Sequence, residues 1–119
     1  MANELTVSCS MRFSKSSREA SKSYSGIQID VSGTKVTRLE QTIGTDEEAL
    51  DIGDIGTAGY IICKNLDDTN YIEIRPGSGA ADLIKLKAGE VAMFRLALNG
   101  PYAIADTAAC DLEFLLIED

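Results

Sequence analysis

Apolar and polar residues alternate with a period of two through much of the chain. Leu5, Val7, Cys9, Met11 and Phe13 occupy every second position, with Thr6, Ser8, Ser10, Arg12 and Ser14 between them. Successive side chains of a strand point to opposite faces, so this run predicts a half-buried β-strand, roughly 30 Å long at about 3.3 Å per residue. Such a strand can lie across its own sheet or reach onto a neighbouring subunit. Residues 14–25 are polar and serine-rich and hold no apolar period, which predicts an exposed connection. Alternation resumes at Ile27, Ile29 and Val31. After Ser32-Gly33-Thr34, Thr37, Leu39, Gln41 and Ile43 share a face, and these two runs predict a hairpin.

Further on, 47–55 reads as a short strand or irregular edge. Residues 60–64 (Tyr-Ile-Ile-Cys-Lys) are apolar on both faces, as in a strand covered on both sides. The turn-forming stretch 65–70 leads to 71–75, expected to be its partner strand, and Pro76-Gly77 closes the pair. Residues 83–87 and 91–98 flank Ala88-Gly89-Glu90 and predict another hairpin. Ile84, Leu86, Ala92, Phe94, Leu96 and Leu98 face inward there, while Lys85, Lys87, Val91, Met93 and Arg95 face outward. The stretch 103–110 is compatible with a short helical turn, and 112–117 forms a closing strand, apolar on both faces. No stretch of ten residues keeps a helical period. The pattern predicts an all-β fold of eight to nine strands, an antiparallel β-sandwich or barrel forming one domain over residues 1–119. Within it, 1–25 supplies the long first strand and its polar connection.

Composition narrows the function by exclusion. The 119 residues contain no histidine, the usual general base, metal ligand and pH switch. Cys9, Cys63 and Cys110 form no Cys-x-x-Cys pair and read as reduced, apolar thiols. No phosphate-binding glycine loop is present. The acidic residues of 46–54 and 67–70 raise calcium as a candidate, but no EF-hand spacing supports it, and such residues populate turns for their own backbone bonds. There is no Trp to form a sugar platform. These features predict no enzyme, no cofactor and no metal. With no apolar run of about 20 residues and no secretory pattern, neither a membrane nor export is expected, and synthesis in a cytoplasm is.

Charge is uneven. Residues 1–38 hold six Lys/Arg and three acids, the remainder five and sixteen, within a net charge of −8. Arg12, Lys15, Arg18 and Lys22 form a basic segment that is a candidate docking end, whereas the acidic remainder disfavours specific nucleic-acid binding. The doubly apolar strands leave more apolar surface than one domain of this size covers, which predicts a homo-oligomer. Leu5, Val7, Met11, Phe13, Val91, Met93, Leu115 and Ile117 are the interface candidates.

Residues 59–74 (GYIICKNLDDTNYIEI), 84–96 (IKLKAGEVAMFRL), 102–108 (YAIADTA) and the closing EFLLIED resemble small β-sandwich virion proteins of tailed bacteriophages, over roughly 44–119. The resemblance implies a jelly-roll-like sandwich carried on the capsid surface of the virion. Its implied role is that of a decoration or cement protein, a trimer that bridges neighbouring copies of the major capsid protein. The alternative it leaves is a tail, fibre or head-fibre component that binds a receptor or glycan.

Overall fold

The structure, a computed structural model, describes residues 3–119, and among these the chain is all-β. It divides into two compact units, one ending at Ser32 and one spanning Gly33–Asp119.

The first unit is a hairpin of β1 (Leu5–Lys15) and β2 (Arg18–Ile29), here termed the arm. The predicted long strand is present. The serine-rich stretch expected to be a connection is instead most of its partner. Two local features disguise it. Ser16 and Ser17 turn the chain with φ of 52° and 66°, the left-handed pair of a two-residue hairpin loop that Asn-Gly usually supplies. Further along, Val7 pairs with Ile27 but Cys9 pairs with Tyr24, so β2 carries one extra residue. Gly26 sits in that bulge with φ of 67°, and its N–H donates to Ser8 Oγ at 3.0 Å. The bulge shifts the phase of β2 by one residue. Ala20, Lys22 and Tyr24 therefore share a face with Ile27 and Ile29, although their spacing along the sequence says otherwise. The base of the arm is tied by the Val31 N–H, which donates to Glu4 Oε1 at 3.0 Å and holds that carboxyl below the usual range.

The second unit, the body, contains β3 (Val36–Ile43), β4 (Glu48–Ala49), β5 (Ala58–Asn65), β6 (Ile72–Arg75), β7 (Ile84–Leu86), β8 (Val91–Arg95), β9 (Tyr102–Ala105) and β10 (Cys110–Glu118). They form two four-stranded antiparallel sheets, ordered β3-β10-β5-β8 and β4-β9-β6-β7. Phe114, Leu112, Leu116, Ile61 and Ile43 from the first sheet join Ile72, Ile74, Leu86, Ala103 and Ala105 from the second in one buried cluster. Thr37, Leu39, Gln41 and Ile43 face inward as predicted. The short edge expected within 47–55 is β4.

Pairings differ from those the turns suggest. The run at 27–31 does not pair with β3; β3 lies against β10. β5 and β6 belong to different sheets, as do β7 and β8, so the turns between them are corners that carry the chain from one sheet to the other. Gly89 (φ 78°) and the Glu90 N–H to Lys87 carbonyl bond make the second corner as tight as a hairpin loop. Nearest-neighbour turn chemistry is the same in both cases. The stretch 103–110 contains β9 and the start of β10 rather than a helical turn, and Leu98, expected inside, is exposed. Including β2, the described residues form ten strands, where the alternation predicts eight to nine.

Asn65 holds the first corner. Fully buried, it donates from Nδ2 to the carbonyls of Asn70 (2.9 Å) and Leu86 (3.0 Å), and its Oδ1 accepts from Asp67 N–H at 3.0 Å. Every hydrogen-bonding group of its amide that the core would otherwise strand is thus engaged with backbone.

Candidate assembly surfaces

The arm has two unlike faces. One carries Thr6, Ser8, Ser10, Arg12 and Ser14 against Gln28, Ser23, Ser21 and Glu19. The other carries Leu5, Val7, Cys9, Met11 and Phe13 against Ile29, Ile27, Tyr24, Lys22 and Ala20. No residue of either strand is fully buried within the described chain, and Met11 is 76% and Phe13 50% exposed. An isolated two-stranded hairpin is at best marginal in water. An apolar face presented this way needs a surface to cover it.

The four predicted docking cations do not act as one group. Lys15, Arg18 and Lys22 share the apolar face at the tip, with Lys22 Nζ 5.7 Å from the centre of the Tyr24 ring. Arg12 lies on the opposite, polar face. The apolar face thus runs from aliphatic residues at its base to positive charge at its tip, and carries no acid.

On the body, the outward side chains of the β3-β10-β5-β8 sheet form the second surface. Cross-strand pairing sets Leu115 beside Ile62 and Ile62 beside Met93, while Ile117 lies beside Val36. Val36, Ile62 and Val91 are 59%, 46% and 63% exposed; Met93, Leu115, Ile117 and Tyr60 are half-buried. The candidates Val91, Met93, Leu115 and Ile117 are therefore brought together. The expectation that β5 is covered on both faces does not hold, since its outer face is open. Sequence reading missed Ile62 and Val36 as surface residues. For Ile62 the signal was present in the unbroken apolar run, which the sheet assignment alone could orient.

A shallow pocket of about 660 Å³ indents this face, lined by Ile62, Leu115 and Val91 together with the charged Arg38, Glu40, Lys64 and Glu113. Glu40 and Glu113 are directly opposite one another on β3 and β10. Like charges so placed destabilise a sheet unless a cation answers them. Lys64 faces Glu113 from the other side, yet among the described residues no cation lies within 4.0 Å of either carboxylate. The pair, with Arg38 and Lys64 beside it, closes one end of the belt formed by Ile117, Val36, Leu115 and Ile62.

The remaining candidate chemistry is occupied in holding the fold. Asp67 accepts from the N–H groups of Asn70 and Thr69, which lower its pKa. Glu47 pairs with Arg75 at 3.2 Å and accepts from Gly79 N–H, and Glu48 accepts from Gln41 and Gly44. Among the described residues no group of three or more potential ligands could hold a metal ion. Burial pushes the Cys63 thiol up to about 11, so it stays protonated at neutral pH and is a poor nucleophile. The rings of Tyr60 and Tyr71 lie under the Arg95 guanidinium (4.9 Å) and the Lys85 ammonium (4.1 Å). No protein-family model, curated protein or solved structure matches the chain.

Proposed function

We propose that this protein is a non-enzymatic structural component of a tailed-phage particle, decorating or cementing the capsid by bridging copies of the major capsid protein. The observation that carries an assembly role is the arm, whose apolar face is left open beside a cationic tip. The strand order of the body supports the sandwich half of the reading. Its strands fall into two sheets ordered 3-10-5-8 and 4-9-6-7, an order that supports a jelly-roll reading of the sandwich. The capsid itself enters through the resemblance of residues 44–119 to phage virion proteins. A cement protein acts by adding buried area across joints between capsid subunits, and a trimer places three such contacts around one axis.

Binding to purified expanded capsids tests this. Saturation near one copy per major capsid subunit is expected, weakening as salt is raised, because Arg12 on the polar face of the arm is exposed and its charge is screened at Debye lengths of about 8 Å. Failure to bind capsids, together with binding to host cells or surface glycan in competition with infection, would establish the fibre or receptor-binding reading instead.

A further inference from the structure

We propose that the arm of one copy seats its apolar face on the outer β3-β10-β5-β8 face of a second copy, with Met11 and Phe13 over the pocket. Lys15, Arg18 and Lys22 then meet the Glu40–Glu113 pair. The inference needs no capsid and is tested in its absence.

Three features single out a second copy as the occupant. Both surfaces are open and apolar, and both are graded in charge. The arm goes from Leu5, Val7, Ile27 and Ile29 through Met11 and Phe13 to three cations. The outer face goes from Ile117, Val36, Leu115 and Ile62 to two carboxylates, flanked by Arg38 and Lys64, that no cation among the described residues answers within 4.0 Å. Net charge agrees: residues 1–32 hold four Lys/Arg and three acids, whereas 33–119 hold seven and sixteen. The dimensions match as well. An aromatic ring flanked by cations suits a pocket of about 660 Å³ lined by Ile62, Val91 and Leu115, with Glu40 and Glu113 beside Arg38 and Lys64 in its charged lining. Because the arm and the outer face are different surfaces, the contact is head-to-tail, and it is satisfied for every copy only when the ring closes.

The mass of the full-length protein in solution decides it, measured by light scattering and sedimentation. The wild type is expected at a discrete multiple of 12.8 kDa. Phe13→Glu removes the arm's anchor and Ile62→Glu blocks the face; each change is on a solvent-exposed side chain, and circular dichroism confirms folding. Either variant alone is expected to fall to a single chain. Mixed in equal amounts they are expected to form a dimer and nothing larger, since the intact arm of one fits the intact face of the other and the remaining two sites are dead. Exchanging the charges, Glu40→Lys and Glu113→Lys against Lys15→Glu, Arg18→Glu and Lys22→Glu, should abolish assembly in either set alone, and the mixture should associate again with the two sets alternating along the arm-to-face contacts. A monomeric wild type overturns the proposal. So does an assembly unaffected by Phe13→Glu or Ile62→Glu, or a mixture of those two variants that stays at one chain.

Discussion

β1 and β5 each set apolar residues at every second position on one face, and those faces end in different surroundings. In β5, Ile61 and Cys63 enter a cluster of fifteen buried side chains drawn from both sheets. In β1, Met11 and Phe13 lie on a two-stranded hairpin and stay exposed. Alternation sorts side chains between two faces; it does not supply the second layer that makes one of them a core. The body has that layer. The arm does not, and the same pattern that stabilises the body makes the arm a surface in search of a partner.

The difference predicts unequal responses to equal truncations. Phe114→Ala removes a ring only 2% exposed and is expected to cost the body about 3–5 kcal/mol in denaturant unfolding. Phe13→Ala, studied in protein dilute enough to be unassembled, should change the unfolding free energy of the body by less than about 0.5 kcal/mol. Comparable losses from the two would erase the distinction. Next in size, Asn65→Ala strips the corner of three hydrogen bonds and strands the carbonyl of Leu86. A loss of about 2–3 kcal/mol is expected, with assembly intact wherever the body is folded.

The arm can be sharpened rather than broken. Replacing Ser16-Ser17 by Asn-Gly puts residues suited to positive φ at both turn positions, with about 1 kcal/mol gained in the hairpin and none in the body. Slower amide exchange along β1 and an unchanged melting temperature of the body are the readout.

The smallest effect is one of pH. Glu118 accepts from Thr34 and Lys35 N–H through one oxygen and from Gly56 N–H through the other. Chiefly through Gly56, then Thr34, these bonds hold its pKa below the ordinary value of 4.5. A carboxyl depressed in the folded state lends stability above its unfolded pKa and loses it as pH falls through the folded one. The body's melting temperature should therefore decline below about pH 4.5, and Glu118→Gln should flatten part of that decline while leaving the arm untouched.

Much of this was legible in the sequence. The body strands lie close to where alternation puts them, and Val91, Met93, Leu115 and Ile117 betrayed the outer face because they broke the polar-outside rule. Partners were harder to read. A tight turn such as Lys87–Glu90 looks alike whether it folds a strand back in one sheet or hands it to the other, and only long-range packing decides. β2 was hidden for a local reason: one extra residue at Gly26 breaks the period, and Ser16-Ser17 lacks the usual residues of a left-handed turn. The grading of charge on the arm followed the same fate, because the facing of Lys15, Arg18 and Lys22 depends on that pairing.

Amide hydrogen exchange followed across a series of protein concentrations tests most directly whether the arm is an assembly element on an independently stable body. β3 to β10 should be strongly protected at every concentration, whereas β1 and β2 should exchange freely in dilute protein and gain protection as copies associate. An arm as protected as the body in dilute protein, or one that gains no protection as concentration rises, would contradict the account.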